Sequence, residues 1–184
     1  MSNATVDREL TPRRATLEDL AALREVMTAA IAQLQSAFLD HAQVAASRAV
    51  MGLDTQLISD GTYFIVSDHE ASAGCGGWSR RATLYGGDHS TALREPRLLD
   101  PATEAARIRA MYTHPLFVRR GVGRQILALC EAAATAEGFR REELMATLAG
   151  EPLYRASGYQ ALDRTTAHVD GVTIPLLRMT KRLS

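Results

Sequence analysis

The 184-residue chain has no excess of either charge: 21 Lys and Arg balance 21 Asp and Glu, for a formal net charge of zero. Nonspecific nucleic-acid affinity comes from clustered cations that neutralise phosphates, so this balance argues against a general polyanion-binding surface. No apolar run approaches the ~18 residues that read as a membrane span, and Met1 to Leu10 is too polar for a signal peptide. We therefore expect a cytoplasmic protein with neither a nucleic-acid nor a membrane partner. Cysteine is scarce: Cys75 and Cys130 lie far apart and outside any CxxC spacing. Two reduced thiols and no metal site are the expectation. Aromatics make up only 5% of the chain, but 46% of it is hydrophobic. At about 150 residues per domain this suffices for one core that buries roughly 70% of the unfolded surface. Residues 1–9 read as a flexible lead, with Ser2-Asn3-Ala4 as an expression scar, and residues 10–184 as a single domain.

Helices dominate the first third. Thr16, with Asp19 three residues later, is a variant capping box, and Leu20, Leu23, Met27, Ala30, Ile31 and Leu34 follow at helical spacing. A second helical stretch is predicted over 38–51, and a short one between Asp54 as N-cap and Gly61. From Thr62 the pattern turns to strands: a hairpin over 63–81, whose glycines at 74, 76 and 77 suggest a bulge or a close backbone approach. Residues 83–105 lack periodicity, as expected of a functional loop beside a site. Arg107–Thr113 alternates, which places Ile108, Ala110 and Tyr112 on one strand face. A helix from Val122 closed by Gly138, a strand near Glu142, a short turn of helix at 152–157, and a final hairpin across Asp170-Gly171 complete an α+β chain around a central sheet.

One stretch departs from the even charge. Arg107, Arg109, Arg119, Arg120 and Arg124 occupy a strand, a turn with Gly121 and Gly123, and a helix start, with no acidic residue among them. A glycine turn before a helix aims unpaired N–H groups and the positive end of the helix dipole at one point, so a phosphate or pyrophosphate is the expected occupant. The pattern lacks the Gly-Lys-Ser/Thr of a P-loop, and Ile126 stands where a dinucleotide fingerprint needs a third Gly or Ala.

The run Thr113-His114-Pro115-Leu116-Phe117-Val118-Arg119-Arg120-Gly121-Val122-Gly123-Arg124, followed by Leu153-Tyr154-Arg155-Ala156-Ser157-Gly158-Tyr159, resembles the GNAT superfamily of acyl-CoA-dependent N-acyltransferases. The first part is similar to its Gln/Arg-x-x-Gly-x-Gly/Ala pyrophosphate loop, the second to its Tyr-x-x-x-Gly-Phe/Tyr helix and strand. The resemblance implies a mixed, mostly antiparallel sheet flanked by helices, sandwich-like, with a splayed central strand pair, and it allows a homodimer. It implies acetyl-CoA as cosubstrate, with the pantetheine arm held by backbone groups of Met111, Tyr112 and Thr113. The pyrophosphate would be held by Arg119, Arg120, Gly121, Val122, Gly123 and Arg124. Val118 stands at the family's usual Gln/Arg position, which leaves more of that contact to Arg119, Arg120 and the backbone.

The implied reaction is direct attack of a primary amine on the thioester in a ternary complex. Tyr154 matches the family's general acid, and a phenol with an ordinary pKa near 10 stays protonated and can donate. Glu142, Glu143, His114, His89 and Asp88 are alternatives for a base; Trp78, Arg80, Arg81 and Tyr85 are candidates for the acceptor side, Trp78 equally for the core. A cysteine nucleophile is disfavoured, because neither thiol has a nearby His in sequence. The alternative to an enzyme is a non-catalytic acyl-CoA sensor or regulatory module. A DNA-binding helical pair over 17–51 lacks the basic face that phosphate contact requires.

Overall fold

A computed structural model describes residues 9–184; the expectation for residues 1–8 falls outside the described residues. Seven strands form one sheet: β1 (Leu10–Arg14), β2 (Tyr63–Asp68), β3 (Ala71–Ser79), β4 (Ala106–Thr113), β5 (Arg141–Ala146), β6 (Gln160–Val169) and β7 (Val172–Arg182), in the order β1-β2-β3-β4-β5-β7-β6. Every neighbouring pair is antiparallel except β4 and β5, so the sheet is mixed and mostly antiparallel. The helices are α1 (Leu20–Leu34), α2 (His41–Ser47), α3 (Thr55–Ser59), α4 (Val122–Ala136) and α5 (Glu151–Ala156).

The two long helices cover opposite faces. On α1, Leu23, Val26, Ala30 and Ile31 form the buried stripe and pack with Tyr63, Ile65, Cys75 and Tyr112. On α4, Val122, Ile126, Leu127, Cys130 and Ala134 pack with Phe64, Val66, Ile108 and Leu144 on the other side. The capping box before α1 is present: the Thr16 N–H donates to Asp19 Oδ2 at 2.7 Å. A Cβ at Gly74 would lie 2.5 Å from Val122 Cγ1, so the glycines of β3 let α4 sit directly on the strand.

The structure corrects two expectations and adds one strand. The second helical stretch is shorter, because α2 spans only His41–Ser47 after a 3-10 turn at Gln35–Ala37. Strand β1 was not legible; it carries Pro12 and exposed polar residues, which an edge position tolerates. The simple alternation along β4 breaks at Ala110, whose φ of 49° is left-handed. Gly77 pairs with Arg109 and Cys75 with Tyr112, so β4 has one residue more than β3 over this stretch. Tyr63 Oη donates to the Ala110 carbonyl at 2.7 Å and pins the bulge. Ile108 therefore packs under α4, whereas Ala110 and Tyr112 pack on the α1 side.

Already before this bulge β4 leaves its parallel neighbour. The two strands pair only at Ala106 with Glu142 and Arg107 with Glu143, so the later part of β4 has no β5 partner. This is the splayed central pair, and it opens the sheet.

Candidate active site

A cavity of about 510 Å³ occupies the opening between β4 and β5. One end lies against the start of α4 and α5, the other against α1, the segment after α2 and β7. The predicted arm-binding residues Met111, Tyr112 and Thr113 line it. Tyr112 Oη donates to the Gly52 carbonyl at 3.1 Å, which anchors the strand end to the segment behind α2.

The loop between β4 and α4 is built by local rules. His114 Nδ1 accepts from the Leu116 N–H at 3.2 Å, Pro115 opens a single 3-10 turn, and the chain then takes left-handed φ at Arg119 (64°) and Gly121 (82°). The first bond of α4 runs from the Gln125 N–H to the Gly121 carbonyl at 2.9 Å. The N–H groups of Val122, Gly123 and Arg124 therefore have no intrahelical acceptor, and they lie at the positive end of a 15-residue helix. Gly121 is needed for its φ, since a Cβ there would meet nothing within 4 Å; at Gly123 a Cβ would lie 2.6 Å from Leu153 Cδ2 of α5.

The arginine cluster does not act as one anion site. Arg107 Nη1 donates to Glu143 Oε2 at 2.8 Å and Arg109 Nη2 to Asp54 Oδ2 at 3.0 Å. Arg120 Nη1 donates to Asp68 Oδ2 at 2.8 Å, its guanidinium lies 5.2 Å from the Phe117 ring centre, and the residue does not line the cavity. Arg119 and Arg124 line the cavity and, among the described residues, have no carboxylate partner. Three N–H groups and two free guanidinium groups form a donor set that fits a pyrophosphate.

Four tyrosines are buried in this region. Tyr63, Tyr112 and Tyr159 donate their hydroxyls to Ala110, Gly52 and Glu142 respectively. Tyr154 lines the cavity, is only 7% exposed, and among the described residues its hydroxyl has no protein partner. Its ring packs edge-on against Tyr159, with centroids 5.8 Å apart. Burial raises the phenol's pKa above its ordinary 10, so the group stays protonated.

None of the proposed bases lines the cavity. Glu142 is fully buried behind the sheet, where it accepts from Tyr159 Oη at 2.6 Å, and burial pushes its carboxyl up to about 7. Glu143 accepts from Arg107 and Arg178, Asp88 Oδ1 accepts from Thr55 at the start of α3, and His89 Nε2 contacts the Arg48 carbonyl. Of the acceptor-side candidates only Tyr85 lines the cavity. Trp78 packs edge-on against Phe139, Arg80 pairs with Glu137, and Arg81 with Asp60. Both cysteines are buried, and burial raises both thiols, Cys75 to about 12, which makes them poor nucleophiles.

Two lining residues have roles that the sequence reading missed: Arg109, taken there as one of the arginine cluster, and Gln35, not singled out at all. Arg109, 4% exposed, ties β4 to the 83–86 segment by donating to the Thr83 and Gly86 carbonyls besides Asp54. Gln35 Nε2 donates to Thr147 Oγ1 at 3.2 Å across the cavity wall. Both depend on partners more than 20 residues away, which no local motif encodes.

Comparison with known proteins places this geometry. Residues 59–161 match the family model of the acetyltransferase (GNAT) domain. No curated protein matches the chain significantly in sequence. Among solved structures, the GCN5-related N-acetyltransferase from Rhodopseudomonas palustris superposes with a TM-score of 0.68 at 21% identity, over 94% of this chain and 95% of that one. PaiA N-acetyltransferase from Thermoplasma acidophilum, solved with coenzyme A, gives 0.64 at 13%, over 95% and 99%. The yncA protein from Salmonella typhimurium, solved with its cofactor acetyl-CoA, gives 0.62 at 18%, over 95% and 94%. At these identities the likeness carries the fold, and the family match spans more than half of the chain. With a sheet that splays beside a glycine turn and a helix N-terminus, the chain belongs to the GNAT superfamily and is an acetyl-CoA-dependent N-acetyltransferase.

Proposed function

We propose that residues 10–184 act as one domain that acetylates a primary amine by direct transfer in a ternary complex, with Tyr154 as general acid. The observation that carries this reading is the Tyr154 hydroxyl, the one phenol among the four buried tyrosines named above without a protein partner, on the wall of the cavity. When bound, acetyl-CoA supplies the acyl group activated as a thioester.

The chain's own residues divide the work. The N–H groups of Val122, Gly123 and Arg124, with Arg119 and Arg124 guanidinium groups, hold the pyrophosphate. Backbone groups of Met111, Tyr112 and Thr113, on the stretch of β4 that has no β5 partner, hold the arm and can donate toward the thioester oxygen. Tyr154 Oη holds a proton above its ordinary pKa and gives it to the departing sulfur. Every ionisable side chain lining the cavity among the described residues is an arginine or a tyrosine. The acceptor therefore enters as the free amine or releases its proton to water.

Mass spectrometry of the protein incubated with acetyl-CoA alone tests direct transfer. The mass is expected to stay unchanged until an amine is added, with initial-rate lines that intersect. An acetylated enzyme and parallel lines would replace the ternary complex by a covalent route.

A further inference from the structure

The end of the cavity away from α4 describes the acceptor. Its walls are Ile31 and Leu34 of α1, Val50 and Met51 after α2, Tyr85 of the connection before β4, and Leu176 of β7. Four separate parts of the fold thus converge to present alkyl and aryl surface, which favours an apolar body removed from water.

Charge narrows the class further. The charged side chains lining the cavity, among the described residues, are all cationic: Arg109, Arg119 and Arg124. Arg109 is the one not assigned to pyrophosphate, and Asp54, Thr83 and Gly86 fix it in place. A second ammonium on the acceptor would be desolvated with no free carboxylate to receive it, because Asp54, the carboxylate beside Arg109, is already paired with it and none lines the cavity among the described residues. Gln35, whose Nε2 donates to Thr147 Oγ1, adds a neutral amide and no charge to the same wall.

Resting on the acetyl-transfer reading, we propose that the acceptor is a primary monoamine on an apolar alkyl or aryl body, and that polycationic amines are excluded. The amine nitrogen gains the acetyl carbon and loses one proton to water. The thioester C–S bond breaks and the sulfur takes a proton from Tyr154 Oη, which regains one from solvent. The products are one amide and one free thiol.

The test uses the full chain with hexylamine, butylamine, 2-phenylethylamine, spermidine and kanamycin as probes. Thiol release is read alongside calorimetric titration of each amine into protein saturated with coenzyme A. Hexylamine and 2-phenylethylamine are expected to exceed spermidine in kcat/KM by about tenfold or more, and each methylene lost toward butylamine to lower it several-fold, roughly the discrimination of an apolar pocket. The calorimetric affinities should follow the same order. Leu34→Glu places a carboxylate on the wall and should shift preference toward spermidine by about tenfold with coenzyme A affinity unchanged; Met51→Glu provides the same test if Leu34→Glu does not fold. Preference of the unaltered chain for spermidine or kanamycin would overturn the inference and leave acetyl transfer standing. Failure to acetylate any amine, despite bound acetyl-CoA, would remove both.

Discussion

Glu142 presents the sharpest separation between a catalytic and a structural role. Its carboxyl is pushed up to about 7, a value suited to a general base, yet it lies outside the cavity lining and is fully buried against Tyr159. Burial is the main cause of the rise; the Tyr159 hydrogen bond opposes it, as does Lys181, which pairs with the neighbouring Glu131 at 2.7 Å. A folded value above the ordinary 4.5 means that the folded state binds the proton more tightly. The associated stability is fully present below pH 4.5 and is lost as the pH rises through 7. At about 1.4 kcal/mol per pH unit, the loss by pH 8 is about 3 kcal/mol. Glu142→Gln keeps an acceptor for Tyr159 and removes the charge. It should therefore stabilise the chain by up to about 3 kcal/mol at pH 8, a rise in Tm of about 6–12 °C for this size, with little effect at pH 4.5. Thermal melts at the two pH values measure the stability, and kcat at pH 8 should stay within about threefold. A hundredfold loss of kcat with an unchanged Tm would refute the reasoning and return Glu142 to the list of bases.

Three other outcomes follow from the geometry. Gly123→Val forces a side chain into Leu153 and should weaken coenzyme A binding by at least about tenfold through the displaced loop; calorimetry showing unchanged affinity would remove the pyrophosphate from this turn. Asp54→Ala leaves the Arg109 guanidinium buried without its carboxylate and should cost about 3–5 kcal/mol in denaturant unfolding, whereas a loss under 1 kcal/mol would mean that the pair is idle. With arginines and tyrosines as the ionisable lining, kcat/KM should climb with pH toward the acceptor's own ammonium pKa, near 10 for an alkylamine. A plateau above pH 7 that is the same for amines of different pKa would expose a base on the enzyme.

Local chemistry made much of the fold readable. Thr16 and Asp19 announce α1, Asp170-Gly171 marks the last hairpin, and the turn at Gly121 and Tyr154 downstream both fall on the cavity wall. Long-range partners made the rest unreadable. Nothing near Arg107, Arg109 or Arg120 in sequence reveals that Glu143, Asp54 and Asp68 pair with them, so five arginines looked like one basic site where, among the described residues, only Arg119 and Arg124 have no carboxylate partner. The break at Ala110 was hidden for the same reason, since its register is set by β3 and held by Tyr63. Trp78, a candidate for the acceptor wall, was claimed by Phe139 in the core.

The central claim is that Tyr154 delivers a proton within the cavity, and Tyr154→Phe tests it with the ring and its packing on Tyr159 retained. Thiol release from acetyl-CoA with a saturating amine is the measurement, read beside acetyl-CoA affinity. The account predicts a fall in kcat of about a hundredfold or more, the usual scale of general-acid catalysis, with affinity unchanged. Full turnover by the variant would contradict it.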